Sequence, residues 1–336
     1  LAWPHAHTDW APWLEEARAT YLNVIAAVNR SSAGVILLCA PDDVDSLVSR
    51  LPENAQVLIV PASYNDTWMR DYGFITCKDR DGNGSPVEFR FNGWGNKFNA
   101  SEDNLANQRY LAAMCKSVLR SSPVVAEGGA LEIDEDGHLL STAQCLLNPE
   151  RNGDMSLGAY EDAFKDMLGC SKVTILQHGH LEGDDTDGHI DTLVRFTPNK
   201  GLVIQACNNR PNDSHFEGLK ALCDECALEL PEHEQFHLPL PNIVNDEGDR
   251  LPASYANYLI CNNAILLPVY GEEEDAEAIE TVQRAHPNHI VEPIDCSVLV
   301  RQYGSLHCIS MQVPTNTLKD SIITTLKKGV SLHAPS

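Results

Sequence analysis

Short apolar runs and helix-spaced segments alternate along this chain from end to end, with no Pro/Gly/Ser-rich linker or low-complexity tract between them. Strand-like runs stand at Val35–Cys39, Val57–Val60, Val87–Phe91, Val173–Leu176, Leu202–Ala206 and Ile265–Val269. Helical spacing fits residues 11–29, 42–50, 103–120, 158–168, 214–230 and 274–285. Asp81-Gly82 and Asp136-Gly137 are hairpin turn signals, the second joining Ala130–Ile133 to Leu139–Thr142. The alternation specifies a mixed α/β fold in a single domain over residues 1–336. It leaves a doubly wound sheet, a barrel and a ring of β/α modules equally open, because spacing alone shows no exact repeat.

Composition narrows the partners. The chain carries 48 acidic against 24 basic residues, a formal net charge of −24. That balance argues against a phosphate backbone as partner and favours the approach of cations, although most of the charge reads as a solvated surface. No run approaches the roughly 18 apolar residues that would span a bilayer, and no secretion signal opens the chain, so a cytoplasmic protein is expected. The chain begins at Leu1 without an initiator Met, and Leu1-Ala2-Trp3-Pro4 reads as the end of an apolar strand, so a short native start is expected to precede it. Eleven cysteines, scattered through strings such as Leu37-Leu38-Cys39, read as reduced and buried thiols rather than disulfides.

Several residues stand out by their company. His189 and Asp191 precede the alternating string Thr192-Leu193-Val194-Arg195-Phe196, so a strand starting at His189 would turn both side chains to one face. By the same parity His307 and Cys308 would point to opposite faces, which makes His307 a packed or hydrogen-bonded residue and a poor base for Cys308. A cysteine attacks as thiolate, and the better candidate base is His189, far away in sequence. Asp71 follows Thr67-Trp68-Met69-Arg70, and Glu127 precedes a glycine pair. Carboxylates such as Asp71, Glu127 and Asp191 match the planar fork of a guanidinium, while Trp68 and Trp94 can wall off water. Arg70 reads as one half of a structural ion pair. The loop Asp184–Asp187 lacks the ligand order of a calcium loop, and Cys223-Asp224-Glu225-Cys226 is a lone CxxC, so no metal is expected.

Taken in order, Thr67-Trp68-Met69-Arg70-Asp71, Asn92-Gly93-Trp94-Gly95, Glu127-Gly128-Gly129, Cys145-Leu146-Leu147-Asn148 with Arg151-Asn152, Gly183 through Asp191, Leu251 through Asn257 and Gly304-Ser305-Leu306-His307-Cys308 resemble the agmatine deiminase family. The opening Trp3-Pro4 and Asp9-Trp10 are similar to that family's N-terminal pattern. One departure is Tyr303, which stands where many members carry a first glycine. Some members of the family are also labelled bacterial-type peptidyl-arginine deiminases.

The resemblance implies a five-bladed β/α propeller with pseudo-fivefold symmetry and its site at the centre. It further implies Cys308 as nucleophile, His189 as general acid and base, Glu127 oriented on His189, and Asp71 with Asp191 holding the guanidinium. Trp68 and Trp94 are expected at the substrate, and Asp187 in its acidic loop is expected to draw the distal ammonium of agmatine. The expected reaction forms N-carbamoylputrescine and ammonia through an amidino-cysteine, with no cofactor. Deimination of free or peptide-terminal arginine is the competing enzymatic reading, and a polyamine- or guanidine-binding protein without catalysis is the reading from another class. The partner is then a small cationic guanidine, with room for a homodimer and none for nucleic acid or membrane.

Overall fold

A computed structural model describes residues 1–333; residues 334–336, which the single-domain expectation included, lie outside the described residues. Two compact units are present, one formed by Leu1–Gly128 with the chain from Cys308 onward, the other by Gly129–His307. In the first unit lie β1 (Val35–Cys39), β2 (Val57–Pro61), β3 (Ile75–Lys78), β4 (Gly84–Arg90) and β5 (Arg120–Val125). The second holds β6 (Glu132–Ile133), β7 (His138–Thr142), β8 (Lys172–Leu176), β9 (Val194–Thr197), β10 (Gly201–Gln205), β11 (Glu234–Leu238), β12 (Leu259–Cys261), β13 (Ala264–Val269) and β14 (Ile290–Asp295). A last short strand, β15 (Ser331–Leu332), returns to the first unit.

These strands form five three-stranded sheets, and four of them share one plan. In β3-β4-β5, β6-β7-β8, β9-β10-β11 and β12-β13-β14, an antiparallel hairpin is followed by a crossover and a parallel third strand. The remaining sheet, β1-β2-β15, is parallel throughout, because its third strand comes from the far end of the chain. The mixed α/β class expected from the alternation is borne out. The common plan escaped the sequence because its middle strands differ in length and its crossovers range from single helices to broken turns.

The crossovers show ordinary helix chemistry. The helix Leu157–Leu168 starts at Ser156, whose hydroxyl accepts from the Ala159 N–H at 3.3 Å, and stops at Gly169 in the left-handed region, φ 71°. The helix Asp275–Ala285 buries Ala278, Thr281, Val282 and Ala285, one stripe at helical spacing. The helix expected over 103–120 is instead a run of short turns, Asp103–Leu105, Asn107–Leu111 and Ala112–Met114, and the chain is already in β5 at Arg120. Buried Asn107 ties this run down, accepting from Phe74 N and donating to Tyr72 O and Glu88 Oε2. At the start of the chain, Ala2 makes an isolated parallel bridge to Leu38, where the sequence suggested the end of a strand. All eleven cysteines are thiols, nine of them buried. Among the described residues no helix is long and apolar enough to cross a membrane.

Candidate active site

In the first unit, Asp71 lies on the single turn Met69–Tyr72 and is buried. Its Oδ2 accepts a 2.9 Å hydrogen bond from the indole Nε1 of Trp94. Trp94 is carried on a strained loop: Gly93, Trp94, Gly95 and Asn96 all have positive φ, between 56° and 80°. A tryptophan in the left-handed region costs backbone energy, and flanking glycines limit that cost to one or two residues. The loop is closed by Asn92, whose Oδ1 accepts from Gly95 N at 2.9 Å, and Trp94 packs edge-on against Phe91 and Phe98. Trp68 is buried against Trp10, with ring centroids 5.6 Å apart, and Trp10 Nε1 donates to Thr67 Oγ1.

The segment that carries Cys308 is held from the same turn. The backbone N–H of Arg70 donates to the Cys308 carbonyl at 3.0 Å, and the Arg70 guanidinium reaches Met311 Sδ at 3.3 Å and Gln312 Oε1. Cys308 itself is buried. Glu127 is fully buried, and a Cβ on its neighbour Gly128 would collide with the Arg70 carbonyl oxygen, so glycine is required there by close backbone approach.

In the second unit, His189 does not open a strand. It precedes a 3-10 turn, Ile190–Thr192, and β9 begins only at Val194. Thr192 causes this: its N–H and its hydroxyl both donate back to the His189 carbonyl, at 3.3 and 2.9 Å. The shared face expected for His189 and Asp191 therefore does not exist as a strand face. Asp191 is instead fixed by its neighbours Ile190 and Leu193, which are fully buried in the apolar core of this unit. His307 and Cys308 likewise lie in a turn rather than on a strand. His307 is buried and hydrogen-bonded as expected, and its partner is Asp191, with Nδ1 to Oδ2 at 2.6 Å.

The acidic loop before His189 is largely bonded to itself. Asp184 accepts from Thr186 N, Thr186 Oγ1 and Gly188 N, and Thr186 Oγ1 accepts from His189 N. Asp187, φ 69°, takes hydrogen bonds on Oδ2 from Arg151 Nη1 at 2.7 Å and Asn148 Nδ2 at 2.8 Å. The Arg151 side chain is wholly buried, so Asp187 balances an interior cation. This is a different employment from the capture of a distal ammonium. Thr142 couples the loop to the next turn, donating to Gly188 O while capping Cys145 N.

Cys145 is the residue whose position the sequence reading did not single out. Its Sγ lies within 4.8 Å of a ring nitrogen of His189, and it is fully buried. The only cue was its place in the string Cys145-Leu146-Leu147-Asn148. Cys223 and Cys226, by contrast, sit on the helix Phe216–Glu229, where burial pushes their thiols up to about 11 and about 12 and leaves them as packing residues.

Residues 1–314 match the family described as Porphyromonas-type peptidyl-arginine deiminase. A Mycoplasma mycoides protein named "Putative agmatine deiminase" is 30% identical, over 94% of this chain and 92% of its own length. Among solved structures, the "Putative Arginine Deiminase" of Porphyromonas gingivalis is 39% identical, covers 95% of this chain and 96% of its own, and superposes with a TM-score of 0.87. An agmatine deiminase of C. jejuni with substrate bound is 31% identical, over 95% of this chain and 93% of its own, with a TM-score of 0.85.

Proposed function

The chain belongs to the Porphyromonas-type peptidyl-arginine deiminase family, and from that premise we propose that it hydrolyses agmatine to N-carbamoylputrescine and ammonia. Cys308 is the nucleophile, His189 the general acid and base, and Glu127 orients His189. Asp71 and Asp191 hold the guanidinium, with Trp68 and Trp94 excluding water around it. The five sheets are read as blades of one β/α propeller with pseudo-fivefold symmetry, forming a single catalytic domain. No cofactor takes part, the setting is the cytoplasm, and the assembly is a homodimer.

The chemistry follows from the groups. A guanidinium carbon is a poor electrophile because its charge is spread over three nitrogens, so orientation against a nucleophile is the first requirement. The Cys308 thiolate adds to that carbon, His189 protonates the departing ammonia, and an amidino-thioether remains. Neutral His189 then takes a proton from water, whose oxygen adds to the same carbon. The carbon–sulfur bond breaks, the adduct's hydroxyl proton passes through solvent to the released ammonia, and the neutral ureido product leaves with the thiolate and protonated His189 restored.

One shared geometry carries this reading. Asp71 and Asp191 are both buried, and each has Oδ2 at hydrogen-bond distance from a ring nitrogen, Trp94 Nε1 in one case and His307 Nδ1 in the other. Buried carboxylates held at a set angle suit a planar cation and oppose a developing oxyanion. Agmatine is preferred to arginine because the arginines beside these motifs are committed within the chain: Arg70 to Met311 and Gln312, Arg151 to Asp187. Neither is spare to receive a substrate carboxylate.

Purified protein supplied in turn with agmatine, arginine and a peptide ending in arginine tests the substrate, with ammonia release and the ureido product as readouts. Preference for either arginine substrate replaces agmatine by the arginine reading, and absence of turnover on all three removes the enzyme. Cys308→Ala and Cys145→Ala separate the two thiols. Full activity in Cys308→Ala would end the assignment of the nucleophile.

A further inference from the structure

Arg195, on β9, is a buried cation, 2% exposed, that the proposed chemistry does not use. Its nitrogens are engaged on three sides. Nε donates to Glu132 Oε2 at 2.9 Å, and Nη1 donates to the carbonyls of Ala256 and Tyr258 at 3.0 and 2.8 Å. Nη2 stands 3.4 Å from Nε2 of His307, and the Tyr258 ring lies under the guanidinium at 4.6 Å. Glu132 on β6 offsets the charge and also accepts from Phe196 N through Oε1. Through these bonds Arg195 joins β6, β9 and the chain that leads into β12.

A guanidinium has donors only. His307 Nε2 facing Arg195 must therefore accept, and the single ring proton must sit on Nδ1, where it donates to Asp191 Oδ2 at 2.6 Å. We propose that Arg195 is a positioning residue that locks His307 in the Nδ1–H tautomer and thereby sets the angle and the full negative charge of Asp191. The alternatives show why such a lock matters. With the proton on Nε2, the bare Nδ1 would meet a carboxylate lone pair. With both nitrogens protonated, His307 would neutralise Asp191, and two cations would face each other across 3.4 Å. Asn257 steadies the same arrangement, its Oδ1 and its carbonyl oxygen both accepting from the His307 backbone N–H, at 3.0 and 3.1 Å.

A purely structural arginine would join three sheets and do nothing to the imidazole. A positioning arginine also changes a ring proton. The effect on affinity rests on the guanidine-binding role of Asp191, whereas the tautomer does not.

Protein labelled with 15N at histidine tests the two parts separately, with the His307 signals assigned from those lost in His307→Gln. In the unsubstituted protein at neutral pH, a protonated Nδ1 and a bare Nε2 are expected. A proton on Nε2, alone or together with Nδ1, overturns the proposal, and this arm needs neither substrate nor any change at Arg195. The double substitution Arg195→Met with Glu132→Gln removes the donor without leaving a buried charge. With Asp191 still holding the Nδ1 proton, Nε2 is expected to take up a second proton near neutral pH, which neutralises Asp191 and raises the agmatine KM about tenfold, with kcat changed much less. A folded double variant whose His307 keeps a bare Nε2 overturns the lock. A second proton on Nε2 with unchanged KM overturns its link to Asp191, and absence of any guanidine turnover in the unsubstituted enzyme sinks the functional reading while leaving the first arm intact.

Discussion

Arg70 holds Cys308 by the backbone, N–H to carbonyl at 3.0 Å, and holds the residues after it by the side chain, through Met311 Sδ and Gln312 Oε1. Asp71 is the next residue on the same turn, so one short element carries both a proposed guanidinium ligand and the grip on the proposed nucleophile. Arg70→Met keeps the backbone bond and releases the side-chain grip. Because small misplacement of a reacting group is costly, kcat/KM for agmatine is expected to fall roughly 10–100-fold. Hydrogen exchange at residues 308–312 should quicken in the same variant; unchanged exchange and rate would show that the grip is idle.

Trp94 both spends backbone strain and donates to Asp71. Trp94→Phe keeps a ring between Phe91 and Phe98 but loses the indole donor. A hydrogen bond to a charged acceptor is worth about 1.5–3 kcal/mol, so unfolding stability is expected to fall by about that amount, and the agmatine KM is expected to rise roughly tenfold because Asp71 is no longer held at its angle. A variant with native KM would detach Trp94 from the substrate.

Asp187→Asn leaves the Arg151 guanidinium, buried at its side chain, without its carboxylate. A destabilisation of about 1–3 kcal/mol is expected in denaturant unfolding, with the agmatine KM within about threefold of the unsubstituted enzyme. A large KM effect at unchanged stability would instead restore Asp187 to the distal ammonium, as its acidic loop suggested.

His286 gives the second unit an acid-sensitive element. Burial, aided by the nearby His289 and Arg195 charges, holds its imidazole down at about 4, and Nε2 pairs with the Tyr258 hydroxyl at 3.0 Å. The ordinary value in an unfolded chain is about 6.5. Below that pH the unfolded chain binds a proton that the folded chain refuses, so the contribution is complete above 6.5 and is lost as pH falls toward 4. The loss amounts to roughly 3 kcal/mol in total. His138 and His237 are shifted in the same direction by burial, so the difference between the unsubstituted protein and His286→Gln isolates this residue. Parallel stability curves for the two proteins from pH 7 to 4 would remove it from the account.

Much of the local structure was legible. The runs Val35–Cys39 and Ile265–Val269 became β1 and β13 because apolar residues pack on both faces of a parallel or mixed sheet. Asp136-Gly137 turned where a hairpin needs positive φ, with Gly137 at 78°. The expected helix over 103–120 failed for a tertiary reason: Asn107 gives its side chain to Tyr72, Phe74 and Glu88, which lie outside the window that a periodicity can see. His189 failed for a local one, since the Thr192 hydroxyl closes a turn that alternation alone reads as strand.

By itself the sequence determined the α/β class, the hairpin turns and the identity of the chemical groups, because these follow from periodicity, turn chemistry and the order of short strings. Tertiary structure decided what each group is bonded to. Asp191 meets His307 across 116 residues, Arg195 meets that histidine across 112, and Asp187 meets Arg151 across 36. Such pairings depend on which strands the crossovers bring side by side, and the spacing of apolar residues carries no record of a partner beyond its own element. The parity that separated His307 from Cys308 pointed to the right outcome for His307 through a strand that does not form; the partner that holds it, Asp191, came only with the fold.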